Sequence, residues 1–248
     1  MTGTDYRKYK MSVKECILYS AANMSVFLVM CKVFFDSLLF SLAGILLVPF
    51  LLQKKARALA YDRREALALE FKDFILALSA SLKTGYSVEN AFVQAGKDLA
   101  LIYDEDSDMV LESRKFASQL QNNKQPEELL SDFAQRSGQN EISDFAAIFH
   151  IAKRSGGNMG AIIRNTADII SEKIEVKKEI QVLFAAKRME QNIMNLVPVA
   201  IIGYVRITTP DYFDTIYHTA FGILFMGICL VVYVLSFFLS RKIMDIEV

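Results

Sequence analysis

The residues of this chain that could do chemistry are few, and their spacing matches no catalytic or metal site. No G-x-x-x-x-G-K-[ST] motif occurs, so we expect that the chain does not hydrolyse nucleotides itself. The two histidines, His150 and His218, lie at no metal-ligand spacing from a cysteine or carboxylate. The acidic run at 104–108 lacks the glycine and the terminal glutamate of a calcium-binding loop. The sequence therefore predicts a protein that is not an enzyme and holds no metal or other cofactor.

A glycine pair is the most distinctive short motif of the chain. The motif is Arg154-Ser-Gly156-Gly157-Asn158, and it precedes a stretch with helical periodicity. Backbone N–H groups at such a helix start can hold an anion, but the motif has no lysine for a phosphate. We favour a helix junction, in which a glycine takes the left-handed conformation and Asn158 caps the next helix.

The same pattern occurs earlier, because Lys83–Gly96 aligns without gaps with Arg154–Ala167. In both stretches a basic residue suits the negative end of the closing helix, a glycine follows, and Ser or Asn caps the next helix. We predict two hinges of one type. Their hinge or partner-binding residues are Lys83, Gly85 and Ser87 in the first hinge and Arg154, Gly156, Gly157 and Asn158 in the second. Chance similarity is the alternative, because any helical hairpin recruits glycine and a cap.

Hydrophobic residues between 66 and 185 recur with a period near 3.6, which predicts helices and no strands. Six stripes with their caps predict six helices, enough to bury a core. The stripes are Leu67, Phe71, Phe74, Leu78 and Leu82; Val88, Phe92, Ala95, Leu99 and Ile102 after Ser87; Val110, Phe116 and Leu120 after Asp106 or Ser107; Leu129, Leu130 and Phe133 after Pro126; Ile142, Phe145, Phe149 and Ala152; and Ile162, Ile169, Ile180 and Phe184 after Asn158.

The last of these helices carries alternating charges at residues 172–179 and is expected to continue into a hydrophobic stretch. The charges fit pairing at i,i+4 along a solvated helix, and they also fit a docking face for an assembly partner. Both interpretations stay open at this point.

Two pairs of hydrophobic stretches flank this helical region. The first pair gives spans at about 16–35 and 37–52, and the second at about 191–207 and 220–239. An uncharged stretch of about twenty residues has the length that a bilayer core requires. Pro198 predicts a kink in the third span, because proline removes a backbone hydrogen bond.

Basic residues cluster outside both pairs of spans, which places those flanks in the cytoplasm. The predicted fold class is all-α: a multi-pass membrane protein with a cytoplasmic six-helix bundle made of two related helical hairpin units. The predicted boundaries are 1–52 for the N-terminal membrane anchor, 53–190 for the cytoplasmic domain and 191–248 for the C-terminal membrane region. Both termini would be cytoplasmic. The formal net charge of zero gives no field that would favour nucleic acid.

The stretch from Phe71 to Glu190 resembles the type II secretion system F domain. That domain occurs in platform proteins of type II secretion, type IV pili and tight-adherence (Tad) pili. The most specific part is A-K-R-S-G-G-N-M-G-A-I-I-R-N-T-A-D-I-I at Ala152–Ile170, followed by a long charged helix and a proline-bearing span. The tail at Pro210–Phe213 and Thr219–Gly222 is similar to the TadB and TadC branch.

The resemblance implies a non-enzymatic platform subunit of the inner (plasma) membrane. Its partners would be a hexameric secretion ATPase, a paralogous F-domain platform protein, pilin subunits and the lipid bilayer, in homo- or hetero-oligomers and without nucleic acid. Work from the ATPase would pass through the bundle to the membrane helices. The alternative is a membrane-anchored signalling or regulatory adaptor with a helical partner-binding domain. A small transporter is a weaker hypothesis, because few charges in the spans mark a path.

Overall fold

The computed structural model describes residues 4–7, 11–35, 42–154, 159–209 and 219–244. Within these ranges the chain is helical and has no strand, which confirms the all-α prediction. The eight helices of the described ranges are α1 (Val13–Phe35), α2 (Leu42–Lys83), α3 (Val88–Leu99), α4 (Asp108–Gln121), α5 (Pro126–Ser137), α6 (Asn140–Arg154), α7 (Met159–Thr208) and α8 (Ala220–Met244).

The chain divides into two compact units. Unit 1 comprises Met1–Lys10 and Ala56–Lys177, and unit 2 comprises Met11–Lys55 and Lys178–Val248. Helices α2 and α7 each belong partly to both units. Unit 1 therefore contains six helices or parts of helices, the number predicted for the bundle, together with the start of the chain.

Phenylalanine rings form the centre of unit 1. Each helix from α2 to α6 contributes at least one ring, and neighbouring ring centroids lie between 5.5 and 6.4 Å apart. Aromatic pairs of this kind add about 0.5–1.5 kcal/mol each beyond the effect of area burial. The buried rings are those of Phe71, Phe74, Phe92, Phe116, Phe133, Phe145 and Phe149. The first five predicted stripes therefore face a common core, whereas the buried face of α7 carries Ile163, Ala167, Ile170 and Ile174 in place of the predicted Ile162 and Ile169.

The helix starts in unit 1 follow the predicted caps. The Ser87 hydroxyl accepts a backbone N–H three residues further on and begins α3, and Ser107 does the same for α4. Of the two candidates for the second cap, Asp106 and Ser107, the serine is the one that bonds. Pro126 occupies the first turn of α5, where its missing N–H leaves no hydrogen bond unmade.

In the second stripe, one predicted core residue is wrong. Helix α3 ends at Leu99, so Ile102 lies beyond the helix and is 69% exposed, and its neighbour Leu101 is 87% exposed. The chain turns here because the N–H groups of Ile102 and Tyr103 both donate to the Leu99 carbonyl at 3.0 Å. The Tyr103 hydroxyl then donates to the Asp73 carboxylate of α2 at 2.6 Å, which holds the loop against that helix.

The closest helix pairs in unit 1 are α3 with α4 and α5 with α6. The predicted hinges lie elsewhere, between α2 and α3 and between α6 and α7. This corrects the expected arrangement: the repeated motif marks the junctions of the hairpins with the two long helices, and the turns inside the hairpins have other sequences. Those inner turns are closed by residues 100–107 in the first hairpin and by Gly138 in the second.

Unit 2 contains α1, α8 and the parts of α2 and α7 that unit 1 does not include. Helices α1 and α8 pack together, and α7 and α8 share polar contacts. The Tyr233 hydroxyl donates to the Asn195 backbone carbonyl at 2.7 Å, and the Gln191 amide donates to the Ser240 hydroxyl. Pro198 lies inside α7, which continues to Thr208. Its predicted kink stays a prediction.

The hydrophobic stretches predicted as spans fall in α1, α2, α7 and α8. Helix α1 continues to Phe35, where the first predicted span ends, and residues 36–41, which contain the predicted break between the first two spans, are outside the described residues. Across the described ranges, none of the helices combines the length and the hydrophobicity that crossing a membrane requires.

Helices α3 and α4 pack closely at Gly96, where there is little room for a side chain. A Cβ at Gly96 would lie 3.0 Å from both the Cβ and the Oγ of Ser113 on α4. Ser113 is buried and its hydroxyl bonds the Val110 carbonyl at 2.8 Å, so the whole helix would have to move.

We therefore expect Gly96→Ala to destabilise the protein by about 1–3 kcal/mol, the usual cost of overpacking, despite the better helix propensity of alanine. The measurement is thermal unfolding of the purified protein. Gly203→Ala is the matched control, because it gains the same propensity with no atom within 4 Å of the new Cβ. Equal or higher stability of the Gly96 variant would contradict the close contact.

Candidate functional site

The first predicted hinge, at residues 83–87, ends α2 with a left-handed glycine. Gly85 has a φ of 93°, a conformation that residues with a Cβ rarely adopt. Its N–H donates to the Leu82 carbonyl and the Tyr86 N–H donates to the Ser81 carbonyl, both at 3.2 Å. These two bonds form a Schellman motif, which satisfies the last carbonyls of a helix. The backbone conformation predicted from the sequence is therefore present.

The predicted side chains of this hinge lie at the surface. Lys83 is exposed in the last turn of α2, where its charge suits the negative end of the helix. Ser87 is exposed and caps α3. A Cβ at Gly85 would meet nothing within 4 Å, so the backbone conformation alone requires glycine there. A hinge or partner-binding role for these three residues stays a prediction.

The second predicted hinge lies mostly outside the described residues. That gap, at 155–158, contains Gly156, Gly157 and Asn158. Arg154 is the last residue of α6 and is exposed. The preceding residue, Lys153, reaches the start of α5 and pairs with Glu127 at 2.8 Å. This pair holds the end of α6 next to the start of α5, beside the hinge.

Residues 4–7, here called the N-terminal arm, pack into unit 1, which the sequence analysis missed. Tyr6 is 2% exposed, and its ring meets that of Phe133 edge to face at 6.3 Å. The Tyr6 N–H donates to the Arg136 backbone carbonyl, and the Tyr6 hydroxyl donates to Glu112, each at 3.0 Å. A tyrosine next to basic residues and ahead of a hydrophobic stretch is typical of a membrane interface, so no local pattern indicates that Tyr6 is buried.

Glu112 on α4 is a fully buried carboxylate at the centre of this contact. Arg136 donates to both of its oxygens, at 2.9 and 3.0 Å, and the Lys115 ammonium donates at 2.8 Å. Burial opposes the charge, but the hydrogen bonds from Arg136 and Lys115 outweigh it and lower the pKa of Glu112. Burial and the nearby Glu112 raise the pKa of Tyr6, so its hydroxyl remains a donor. The burial of Glu112 could have been predicted from one feature of the sequence: this residue lies one turn before Phe116, on the apolar face of α4.

A second group of charges fixes the start of α4. Glu70 of α2 accepts the Met109 N–H at 2.8 Å and the Ser107 hydroxyl at 3.2 Å. Arg63 donates to both oxygens of Asp108 at 2.6 Å. Burial raises the pKa of Glu70 even though both hydrogen bonds act in the opposite direction. These contacts tie the positive end of α4 to α2.

The charged stretch of α7 is attached to α2 by ion pairs. Lys177 pairs with Glu65 at 2.9 Å, and Glu175 pairs with Lys72 at 3.0 Å. Burial opposes the charge of Lys177, but its hydrogen bond and charge interaction with Glu65 outweigh burial and raise its pKa.

A third lysine of α7 links this helix to α6. Lys173 lies 3.4 Å from Asp144 and 3.5 Å from Glu141. The ion pairs of these α7 residues join α7 to α2 and α6, whereas the sequence indicated pairing along one helix or docking of a partner. Part of the charged stretch therefore contacts neighbouring helices of unit 1.

The geometry favours a structural role for these buried charges over a catalytic one. The Glu112 carboxylate accepts hydrogen bonds from the Arg136 guanidinium, and the Glu70 carboxylate accepts one from the Met109 N–H at the start of α4. His150 is exposed on α6. Within the described ranges, no three side chains of His, Cys, Asp or Glu lie close enough to hold a metal ion. What the arrangement can do is hold six helices and the N-terminal arm in fixed relation.

Comparison with known proteins gives one family. A family model described as Type II secretion system (T2SS), protein F matches residues 74–205, more than half of the chain. The matched range begins in α2 at a core phenylalanine and ends in α7. No curated protein and no solved structure matches the chain.

The buried carboxylate leads to a test of stability. We expect Glu112→Gln to lower the free energy of unfolding by about 3 kcal/mol, because it leaves Arg136 without its buried counter-charge. Since the pKa of Glu112 is lowered in the folded state, its contribution is present above the unfolded value of about 4.3 and is lost as the pH falls through the folded value.

The measurement is chemical unfolding of both proteins at neutral pH and at a series of acidic pH values. The difference between wild type and Glu112→Gln should shrink as the pH falls. Glu105→Gln is the control, because that carboxylate is 85% exposed and lies 3.7 Å from Arg114, so little change is expected. A difference that is independent of pH would show that the charge of Glu112 does not stabilise the fold.

Proposed function

We propose that this chain, which belongs to the type II secretion system protein F family, is a platform subunit of a secretion or pilus-assembly machine. In this proposal the protein is not an enzyme. It couples a hexameric secretion ATPase in the cytoplasm to membrane helices that handle pilin subunits or exported protein. The TadB- and TadC-like tail at Pro210–Phe213 and Thr219–Gly222 supports a Tad-type pilus machine as the setting.

Helix α7 is the observation that carries this proposal. Its first part is packed in unit 1 by the buried side chains of Ile163, Ala167, Ile170 and Ile174. The same helix continues to Thr208 through the hydrophobic stretch that starts near Ile193. A helix transmits a displacement along its axis better than a loop does, because each turn is hydrogen-bonded to the one before it. A force applied to unit 1 would therefore reach the hydrophobic part of the chain.

The ion pairs of α7 support this role, because they fix the helix to its neighbours. Lys177 and Glu65 keep only 19% and 20% of their side-chain exposure, so water and salt screen this pair less than a surface pair. Lys177 is the last residue of α7 that belongs to unit 1. That is where a coupling helix needs its firmest attachment.

The location is also part of the proposal. We place the protein in the inner membrane as a multi-pass protein, with both termini and the central domain in the cytoplasm. The basic residues outside each pair of hydrophobic stretches support this topology. A paralogous F-domain protein and further copies of this chain would complete the platform.

The first test is co-purification. Full-length protein with a C-terminal tag, extracted in detergent from its own cells, should retain a secretion ATPase detectable by mass spectrometry. Charge reversal at a predicted partner-binding residue, Lys83→Glu, should reduce the retained ATPase several-fold. Lys124→Glu, at an exposed lysine in the α4–α5 loop, is the matched control and should not.

The outcomes separate the two functional hypotheses. Absence of any secretion ATPase from the wild-type sample would contradict the coupling role. Recovery of a different soluble protein, dependent on Lys83, would instead favour a membrane-anchored adaptor. If Lys83→Glu and Lys124→Glu changed the amount of retained ATPase equally, the first hinge would not be part of the docking surface.

The second test asks whether the attachment of α7 matters for function. Lys177→Glu places two carboxylates together, so we expect pilus assembly or secretion to fall strongly while ATPase binding remains. The double variant Lys177→Glu with Glu65→Lys restores an opposite-charge pair and should recover most of the activity. Lys178→Glu, on the exposed neighbouring residue, is the control. Full activity of the Lys177→Glu single variant would show that this pair plays no part in coupling.

A further inference from the structure

A groove runs between α5 and α6 on unit 1. It has a volume of about 760 Å³. Small side chains line much of it, among them Ala134, Ala146 and Ala147. Because these side chains are short and apolar, the groove can accept larger apolar groups from outside. This surface is called the α5–α6 groove below.

Two arginines lie at the end of the groove next to the α5–α6 turn. A Cβ on Gly138 would be 3.0 Å from the Arg7 Cγ and 3.6 Å from a terminal nitrogen of Arg64, so both guanidinium side chains crowd this turn. The Tyr6 contacts hold the N-terminal arm in place and so bring Arg7 there. The arm thus supplies one wall of the α5–α6 groove.

Neither arginine has a carboxylate partner among the described residues. Arg63, Arg114 and Arg136 of unit 1 each pair with a carboxylate. By contrast, Arg7 and Arg64 form no such pair, and the Nε of Arg64 is buried without a hydrogen-bond partner. A buried donor without an acceptor costs about 1–3 kcal/mol. The groove therefore combines three small alanines with polar side chains such as Ser131, Gln135 and Glu127, and its arginine end lacks an anion.

The α3–α4 loop, residues 100–107, has the opposite character. Leu101 and Ile102 are 87% and 69% exposed, more than the other large hydrophobic residues described in unit 1. Two residues later the loop carries Asp104 and Asp106, both exposed. Neither of these aspartates has an ion-pair partner in the part of the chain that is described. An apolar tip is thus followed directly by unpaired carboxylates.

We propose that the α3–α4 loop of one copy of this chain docks in the α5–α6 groove of a second copy. The apolar tip meets the alanine lining, and the aspartates meet the two arginines. Each feature supplies what the other lacks: acceptors for the guanidinium groups and a covered surface for the exposed aliphatic side chains.

The dimensions of the two surfaces agree. Along α6, the part of the groove from Asn140 to Ala147 extends about 10 Å, at 1.5 Å per residue. Because the chain turns from Leu101 to Tyr103, the distance from Leu101 to Asp104 is less than about 10 Å, the length of an extended chain. The loop therefore fits within the length of the groove, with its apolar tip toward the alanines and Asp104 toward the arginine end.

This contact is heterologous, because the loop and the groove are different surfaces of the same unit. Each copy keeps a free loop or a free groove after one contact, so the association continues until a ring closes or a chain of copies forms. The inference does not depend on the ATPase, so it and the proposed function can fail separately.

The test is site-specific cross-linking between two differently tagged full-length copies, in a background with Cys16, Cys31 and Cys229 changed to serine. One copy carries Leu101→Cys and the other carries Ala147→Cys. A short bismaleimide should link the two copies in membranes from cells that express both. Ile169→Cys in place of Leu101→Cys is the control, because Ile169 on α7 is also well exposed and is not part of the loop.

Charge reversal makes the test specific. Arg64→Glu in the copy with Ala147→Cys should lower the cross-linked fraction about tenfold or more, because like charges then face each other. Asp104→Lys with Asp106→Lys in the other copy should restore it, a rescue that a misfolded groove would not permit. Arg7→Glu, at an exposed residue, provides a second variant with the same expected loss.

Two results would overturn the proposal. One is a cross-linked fraction with Leu101→Cys no greater than with Ile169→Cys. The other is a cross-link that persists unchanged with both Arg64→Glu and Arg7→Glu, which would show that the loop touches another copy without using the groove.

Discussion

Phe71 of α2 meets the rings of Phe133 and Phe145, and Phe116 of α4 meets those of Phe92 and Phe133. Through such contacts the rings of five helices form one connected network at the centre of unit 1. Aromatic rings are large and rigid, so the network fixes the distances between helix axes as well as removing apolar area from water. The charged groups at the edge of the bundle can pair with short distances because the rings have already set where each helix lies. The same rings lie within or just before the range that carries the family match.

The buried charges add specificity to this core. Replacing a buried ion pair by apolar residues often costs no stability, whereas removing one partner costs several kcal/mol. The Glu112–Arg136 pair therefore accounts for little net stability, and its effect is to allow only one position for α4, α5 and the N-terminal arm. The pairs between α7 and its neighbours act in the same way at the other side of the unit.

Much of unit 1 could be predicted from the sequence, since period and caps are local properties. The stripe that includes Phe71 and Phe74, the caps at Ser87 and Ser107, and the left-handed glycine at 85 all have the expected structure. Ile102 was misassigned because the helical period continues through it, while a turn bonded to the Leu99 carbonyl ends the helix first. Contacts between distant residues left no local pattern. Tyr6 and Glu112 are far apart in the chain. The α7 charges fitted pairing along the helix or docking of a partner, and three of them instead pair with α2 and α6. The second hinge lies outside the described residues, so its conformation stays a prediction.

The bond between Tyr6 and Glu112 joins residues 106 positions apart, and Arg136 reaches back 132 positions to the carbonyl of Thr4. During biosynthesis the arm leaves the ribosome before α4 and α5, so the surface that receives it is complete only after α5 has been made. The arm is thus among the last parts of unit 1 to find its place, and until then the Glu112 carboxylate and the edge of Phe133 are accessible to water and to other proteins. The same geometry bears on how the protein should be handled in the laboratory. A bulky group attached next to Tyr6 would compete with docking of its side chain into unit 1.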